Sequence, residues 1–279
     1  MDTLLKILVI TLVLRSSSAL PYIDWSKVGP NILHVNANGF ISHINGTSRI
    51  INGHEVTPNS VPYMAAVRPD GVGFCGASFI APTWALTAAH CVDTASYTLV
   101  VLGAHRVLQS EQTQIVVPSR SIILHPGWNP QTLLHDVALV HLQQTVPQTS
   151  IIRPIPLAPV NSGTFAGSTG YLTGWGYTSD TSPTIAPTLQ GIHLRIISTQ
   201  ECSQYVGQWA YETNVCTYGS DGNINIGACY GDSGSPLVVD GVQIGIASFI
   251  GNELCAAGSI TSYARISSYV NWINQHIYQ

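Results

Sequence analysis

Short apolar runs, rich in β-branched and aromatic residues, alternate with clusters of Gly, Pro, Asn and Ser along most of the chain. Such runs cover residues 97–102, 114–117, 137–142, 191–197 and 242–249. Many short strands punctuated by turn residues are typical of antiparallel barrels or sandwiches. The pattern therefore predicts an all-β body over residues 50–279, a length that can bury a sizeable core.

The C-terminal end has the one clear helical period. Val270, Ile273 and Ile277 recur at a spacing of three and four residues, which places them on one face of a helix. Ser267 or Ser268 stands where an N-cap is expected. We predict a helix over residues 267–278 and no other convincing helix.

The N-terminal residues 1–19 have the pattern of a secretory signal peptide. Lys6 comes early, an apolar run covers residues 7–14, and small residues at 17–19 offer a cleavage site. A membrane anchor would need about 20 apolar residues, and Arg15 ends this run too soon. No later stretch is long enough either, so we expect a secreted, extracellular protein with no membrane partner.

Residues 20–49 differ from the body because they contain no cysteine and show neither a helical nor a strand period. Their Asn and Gly residues favour turns and loops. We interpret the segment as a mobile propeptide. Asn45 begins an Asn-Gly-Thr acceptor for N-glycosylation, which would suit an exposed segment.

Six cysteines in a secreted chain indicate three disulfides. The sequence alone allows about 15 pairings. A metal cluster is disfavoured because the chain has no Cys-x-x-Cys pair and its cysteines are widely spread.

Three separated motifs carry candidate chemistry. Ser233 lies in Gly-Asp-Ser-Gly-Ser-Pro, His90 in Thr-Ala-Ala-His-Cys, and Asp136 in Leu-His-Asp-Val-Ala-Leu. A serine hydroxyl is a weak nucleophile at neutral pH and needs a base within hydrogen-bond reach, itself oriented by a third group. The chain order His, Asp, Ser is that of one convergent solution to acyl transfer.

These motifs resemble those of the chymotrypsin-like serine peptidases, from about Ile50 to the C-terminus, and most of all arthropod digestive enzymes of elastase or chymotrypsin type. The resemblance implies two packed six-stranded antiparallel Greek-key barrels followed by the helix. Barrel one would span about 50–160 and barrel two about 161–266, with the active site in the cleft between them.

The same resemblance assigns roles. His90 would take the proton from Ser233, Asp136 would hold the imidazole, and the backbone N–H groups of Gly231 and Ser233 would form the oxyanion hole. It also selects the disulfides Cys75–Cys91, Cys202–Cys216 and Cys229–Cys255 among the possible pairings.

Activation is a second implied mechanism. Arg49 and Ile50 look like the family's zymogen cleavage site, followed by Ile-Asn-Gly. Cleavage would free the amino group of Ile50, which would insert beside Asp232 and order the loop that holds Ser233. A buried carboxylate needs such a partner. The intact chain is therefore expected to be nearly inactive.

Specificity follows from the implied substrate pocket. Its floor would be Gly227, where a trypsin-like enzyme needs an aspartate. Ser248, Phe249 and Ile250 would form one wall of the pocket, and Thr261 would belong to another. Family members with open pockets have glycine at the positions of Ile250 and Thr261. Two bulky walls predict an elastase-like preference for small apolar residues. The alternative is a chymotrypsin-like preference for Leu, Phe or Tyr, if Ile250 rotates away.

The charge distribution bears on the setting. The whole chain has a formal net charge of −4, which argues against nucleic acid as a partner. From Ile50 onward there are no lysines and only six arginines against twelve acidic residues. Few basic residues mean few cleavage points for trypsin-like enzymes, which fits a digestive role in a gut lumen. Compositional drift would explain the same bias.

We expect no cofactor and no metal. In particular, Ala104 stands where calcium-binding relatives carry a glutamate. The expected partners are protein or peptide substrates, an activating trypsin-like protease and protein protease inhibitors, with the chain a monomer. The competing interpretations are a regulatory haemolymph peptidase and a non-catalytic protease homologue. The second is disfavoured because all three triad residues and Gly231 are present.

Overall fold

The computed structural model describes residues 53–180, 182, 184–219, 226–251, 254–255 and 260–278, and the backbone alone of residues 29–30, 33–35, 41–43, 220–221 and 224–225. The strands of the first half are β1 (Gly29–Pro30), β2 (Leu33–Val35), β3 (Ile41–His43), β4 (His54–Glu55), β5 (Met64–Pro69), β6 (Gly73–Ala81), β7 (Trp84–Thr87), β8 (Thr98–Leu102), β9 (Ile115–Leu124) and β10 (Ala138–Leu142). Those of the second half are β11 (Thr169–Gly174), β12 (Gln190–Ile197), β13 (Asn214–Tyr218), β14 (Ser220–Asp221), β15 (Ile224–Asn225), β16 (Pro236–Val239), β17 (Val242–Ile250) and β18 (Ile260–Arg265). The helices are α1 (Thr199–Val206) and α2 (Ile266–Ile277).

Two closed, six-stranded antiparallel barrels make up the body, as predicted. In the first, the strand order β6-β5-β8-β9-β10-β7 closes through the pairing of β6 with β7. In the second, β16-β11-β12-β13-β18-β17 closes through β16 and β17. In each barrel the fourth strand in chain order lies beside the first, β8 beside β5 and β16 beside β11, which is the Greek-key arrangement. Closure removes the sheet edges that short exposed strands would otherwise present.

The barrels pack on each other through buried aromatic and aliphatic side chains. Every residue of β5 and β8 is buried, so both faces of these strands carry core residues. Phe74 and Trp175 meet edge to face with ring centroids 6.4 Å apart. The indole of Trp175 donates a hydrogen bond of 2.9 Å to the carbonyl of His105. These contacts tie the barrels together beside the candidate site.

The helices partly match the prediction. Helix α2 is confirmed, but no serine side chain caps it; Arg265 occupies the N-cap because β18 runs directly into the helix. Helix α1 was missed, because only Cys202 and Val206 of its residues are buried. No helix of the described residues is long and apolar enough to cross a membrane.

The six cysteines form the three predicted disulfides, Cys75–Cys91, Cys202–Cys216 and Cys229–Cys255. Their Cα atoms are 6.2, 6.1 and 5.7 Å apart, within the usual range for such bridges. Two of them flank the candidate site, since one joins β6 to the residue after His90 and another begins four residues before Ser233.

The segment before the body contains three strands, so the expectation of turns and loops was wrong for residues 29–30, 33–35 and 41–43. Strand β1 pairs in parallel with the start of β6, and β2 pairs in parallel with the end of β17. Among the described residues, strand β3 pairs with β2 and not with the body. Strands β1 and β2 are held by backbone pairing with strands of the body, and such pairing requires no period in the side chains.

Candidate active site

A histidine–aspartate pair lies at the open end of the first barrel. His90 sits in a 3₁₀ turn, Ala89–Cys91, just after β7, and Asp136 stands two residues before β10. Because β7 and β10 are neighbours, with Thr87 opposite Ala138, the two side chains meet. His90 Nδ1 lies 2.7 Å from Asp136 Oδ2, and the backbone N–H of His90 donates to Asp136 Oδ1 at 2.9 Å.

The backbone turn before Asp136 aims its carboxylate inward. Leu133 and His135 both have positive φ, 54° and 59°, and the N–H of Val137 donates to the carbonyl of His135 at 2.8 Å. Asp136 is only 1% exposed and also accepts a hydrogen bond of 2.6 Å from Ser248 Oγ, which belongs to the second barrel. The carboxylate is therefore held by groups from both barrels.

A histidine pair lies behind this turn. The rings of His125 and His135 stack with centroids 4.8 Å apart, and His135 Nδ1 lies 3.3 Å from the hydroxyl of Tyr269. Burial lowers the pKa of both imidazoles and raises the pKa of Tyr269 to about 12. Both shifts disfavour the charged form of the imidazole rings. No sequence motif predicts this pair, because His135 stands out in the sequence only as the residue before Asp136.

Ser233 occupies a tight turn at the barrel interface. Gly231 and Gly234, on either side of it, have φ of 92° and 80°, a region that favours glycine. The carbonyl of Ser233 accepts a hydrogen bond of 2.7 Å from the N–H of Gly76, in β6. A Cβ at position 234 would lie 2.2 Å from the carbonyl oxygen of Gly76, so only glycine fits there.

The turn leaves two backbone donors unused. The N–H groups of Asp232, Gly234 and Ser235 donate to carbonyls of Cys229, Ala247 and Asp232. Within the part of the chain that the structure describes, those of Gly231 and Ser233 donate to nothing. Two unpaired N–H groups on either side of one residue can receive an oxyanion.

The third link of the predicted triad is not closed by a hydrogen bond. Among the described residues, Ser233 Oγ makes none with His90 Nε2, which instead lies 3.8 Å from Cys91 Sγ. Such bonds are often long before substrate binds and tighten in the reacting complex.

Asp232, next to the serine, is a carboxylate in a fully buried site. It accepts hydrogen bonds of 2.9 Å from the backbone N–H groups of Gly176 and Cys229. A Cβ at Gly174 or Gly176 would lie within 2.2 Å of its oxygens, so both glycines make room for it. Burial raises the pKa of Asp232 to about 7, against the lowering effect of the two backbone hydrogen bonds. No cation pairs with it among the described residues.

A small pocket opens beside Ser233. Its lining includes four residues from the end of β17, two from the loop that carries Gly227, and Thr261: Ala228, Cys229, Ser233, Ala247, Ser248, Phe249, Ile250 and Thr261. The cavity measures ≈ 10 Å³, close to the space of one water molecule. Ile250 and Thr261 are paired across β17 and β18, so both narrow the same space. Gly227 is buried next to this lining without belonging to it.

Three of the predicted residues, Asn45, Arg49 and Ile50, lie outside the described residues. The sequence places Ser248 in the pocket but does not predict its hydrogen bond to Asp136, a contact across 112 positions that no local pattern encodes.

One group of potential metal ligands stands out in the described region: Cys75, His90 and Cys91. The two sulfurs are joined in a disulfide, which removes the thiolates that a metal would need.

The comparisons with known proteins agree with this geometry. The trypsin family model matches residues 50–273. Brachyurin of Leptuca pugilator is 36% identical and covers 80% of this chain and 96% of its own. Chymotrypsin of Phaedon cochleariae is 31% identical over 98% of both chains. A solved structure of HL collagenase matches with a TM-score of 0.73 and 34% identity, over 82% of this chain and 99% of that one. The chain therefore belongs to the trypsin family and is a chymotrypsin-like serine endopeptidase.

Proposed function

We propose that this chain is a secreted zymogen whose cleaved form hydrolyses peptide bonds through Ser233, His90 and Asp136. The observation that carries the proposal is the junction of the barrels, where the His90–Asp136 pair adjoins a serine turn with two unused N–H donors. Each part alone has a structural explanation, whereas the combination matches the requirements of acyl transfer.

In the proposed mechanism, His90 Nε2 accepts the proton of Ser233 Oγ as the oxygen attacks the scissile carbonyl. The Ser233–acyl bond forms, and His90 passes the proton to the leaving amine. Water then attacks the acyl-enzyme by the same route, releasing the acid. Asp136, with its 2.7 Å contact to Nδ1, keeps Nε2 available and stabilises the imidazolium. The N–H groups of Gly231 and Ser233 bind the oxyanion.

Activation would use Asp232. Cleavage after Arg49 creates an ammonium group at Ile50, and Asp232 is a fully buried carboxylate with no cationic partner among the described residues. A cation placed beside it would lower its pKa and offset the cost of burial. Since Asp232 precedes Ser233 directly, the same contact would fix the oxyanion turn.

The pocket supports elastase-like specificity, with small apolar residues before the scissile bond. Ile250 and Thr261 line a cavity that a large ring would have to enlarge. A chymotrypsin-like elastase of Macaca fascicularis is 34% identical over 82% of this chain and 90% of its own. A chymotrypsin-like preference for Leu, Phe or Tyr is the second candidate, favoured by the likeness to a chymotrypsin along nearly the whole chain.

The setting we propose is digestion outside the cell. The leader pattern at residues 1–19 and the absence of lysine from Ile50 onward both favour it. A regulatory haemolymph peptidase is less favoured, because residues 20–49 contain no cysteine to bridge a regulatory domain.

The test uses recombinant zymogen cut at Arg49, with Ser233→Ala as the matched control. Short amide substrates would differ only in the residue before the scissile bond: Ala, Val, Leu, Phe, Tyr and Arg. We expect hydrolysis to be fastest after Ala or Val, and absent in the control. Fastest cleavage after Leu, Phe or Tyr would favour the second candidate, and no cleavage after confirmed processing would overturn the proposal.

A further inference from the structure

The N-terminal segment contacts the two barrels at two separate places. Gly29 and Pro30 pair in parallel with Gly73 and Phe74, at the start of β6. His34, in β2, pairs in parallel with Ile250, the last residue of β17. One short segment of backbone therefore reaches a strand of each barrel.

Both of these strand ends border the proposed catalytic serine. Strand β6 leads to Gly76, whose N–H donates to the carbonyl of Ser233, and Cys75 is bonded to the residue after His90. The end of β17 lines the pocket beside Ser233, and its Ser248 holds Asp136. Both anchoring strands thus border the turn that holds Ser233, β6 through the N–H of Gly76 and β17 through the carbonyl of Ala247, which accepts from the N–H of Gly234.

The direction of a substrate follows from the pocket. The side chain before the scissile bond enters the pocket formed by the end of β17, so the acyl part lies along Ser248–Ile250. The leaving part then continues past Ser233 toward β6, the other strand bonded to the turn of Ser233. A substrate therefore runs from Ile250 toward Gly73, against the direction of both strands.

The N-terminal segment runs the other way. Because both of its pairings are parallel, it passes along β6 toward Ser233 and then along β17 away from it. Pro30 and His34 are four residue steps apart, which reach at most about 14 Å. Four residue steps therefore connect the pairing with β6 to the pairing with β17, the two strands that a bound substrate would also contact.

We propose that β1 and β2 belong to an inhibitory segment that occupies the substrate cleft in the reverse direction. This inference rests on the proposed function of the same site. A reversed chain exchanges the positions of N–H and C=O groups along the cleft. Its carbonyls are therefore not delivered to the N–H groups of Gly231 and Ser233, and it blocks the cleft without being cut.

Cleavage after Arg49 then changes how strongly the segment is held. While the chain is intact, the segment is tethered at an effective concentration on the order of millimolar. Residues 20–49 contain no cysteine, so after cleavage only non-covalent contacts remain. Activation has two steps in this account, formation of the Ile50 terminus and dissociation of the segment.

Binding is tested without using hydrolysis. The zymogen variant Ser233→Ala is cut at Arg49 and freed of its propeptide, and a fluorescein-labelled peptide of residues 20–49 is added. We expect a rise in anisotropy that an unlabelled substrate peptide reverses. His34→Pro in the labelled peptide should weaken binding at least tenfold, because β2 lies between β17 and β3 and proline does not fit such a strand. Asp24→Pro, outside the three strands, should leave binding unchanged.

No binding, binding that the substrate peptide does not displace, or equal effects of the two proline variants would overturn the inference. These readouts are independent of catalysis, so an inactive wild-type enzyme would overturn only the proposed function. Active wild-type enzyme should leave the unlabelled 20–49 peptide intact for hours, and cleavage at a substrate's rate would also overturn the inference.

Direction is tested by disulfide trapping. Paired neighbours in a sheet lie within the Cα separation that a disulfide spans. The zymogen variant Gly29→Cys with Gly73→Cys should keep the propeptide attached on a non-reducing gel after cleavage at Arg49. The matched variant Gly29→Cys with Ile250→Cys should release it. The opposite result would mean that the segment lies in the substrate's direction, and equal trapping of both would mean that it has no fixed direction; either overturns the inference.

Discussion

Two buried aspartates at the barrel interface have opposite surroundings. Asp136 accepts hydrogen bonds from the ring and backbone of His90 and from Ser248, so its partners come from both barrels. Asp232 is equally buried, but among the described residues its hydrogen-bond partners are the backbone N–H groups of Gly176 and Cys229 alone. Burial raises the pKa of Asp232 to about 7.

Asp136 therefore has its hydrogen-bond partners in place, whereas Asp232 lacks a cationic partner among the described residues. The groups around Asp136 are all supplied by the folded body, so the His90 pair can form before any cleavage. No cation stands beside Asp232 among the described residues, and in our proposal the new Ile50 terminus supplies it. Changes at the first aspartate should therefore affect chemistry, and changes at the second should affect activation.

The largest expected effect comes from Asp136→Asn. An amide at this position offers a donor to His90 Nδ1 and favours the wrong tautomer, which lowers kcat by about 10⁴-fold. Steady-state kinetics of the cut enzyme would measure it, with thermal unfolding as a check on the fold. A loss below tenfold in a folded variant would remove Asp136 from the mechanism.

Asp232→Asn should come next. Without a carboxylate the new terminus has no anion to pair with, and the oxyanion turn loses its support. We expect cut enzyme to lose activity on the order of 10²- to 10³-fold, as when one oxyanion donor is lost. The measured quantity is the ratio of kcat/KM between cut and intact chains. Asp240→Asn, at an exposed position in the turn between β16 and β17, is the matched control and should keep the full ratio.

The pH dependence of stability should distinguish the two aspartates further. Burial raises the pKa of Asp232 to about 7 in the folded chain, against its ordinary value of 3.8, which we expect in the unfolded chain. Because the pKa of Asp232 is higher in the folded chain, its contribution to the free energy of unfolding is full below about pH 4 and is lost as the pH rises to about 7. The free energy of unfolding of the intact chain should fall across this window by at most about 4 kcal/mol.

Chemical unfolding of the intact chain between pH 4 and 8 would measure this, with Asp232→Asn as the comparison. The free energy of unfolding of the variant should lack the fall that is due to Asp232. The cut enzyme should show a smaller fall than the intact chain, because a paired cation lowers the pKa of Asp232 in the folded state. Parallel curves for the intact chain and the variant would show that Asp232 is already paired before cleavage.

Ser248→Ala should have the smallest effect. It removes one of three hydrogen bonds to Asp136, and a bond to a charged group contributes about 1.5–3 kcal/mol. Because two bonds to Asp136 remain, we expect an effect at the lower end of that range, a fall in kcat of about tenfold. Ser78→Ala is the control, because Ser78 is also buried but its hydroxyl has no hydrogen-bond partner in the described region. Equal kcat values for the two variants would mean that Ser248 does not support Asp136.

The elements show where sequence patterns succeed. The predicted strand runs at 97–102 and 242–249 are strands within one residue, because these residues pack into closed barrels and a β-rich pattern reports that packing. Helix α1 was missed because it buries one narrow stripe. Its local signal was the N-cap Ser198 with Glu201 three positions later, whose N–H donates to the serine hydroxyl.

The sequence pattern by itself predicted an all-β body and the C-terminal helix, because short apolar runs and a helical period are requirements of local conformation and burial. The motifs around His90, Asp136 and Ser233 indicated the family, and that resemblance implied the two barrels and the candidate catalytic residues. Only the tertiary structure decided that Ser248 holds Asp136 across the two barrels, that Asp232 is enclosed without a cation among the described residues, and that β1 and β2 each pair in parallel with a strand of one barrel. Each of these three features depends on residues far apart in the chain, and their hydrogen bonds or burial cannot be predicted from the neighbouring sequence.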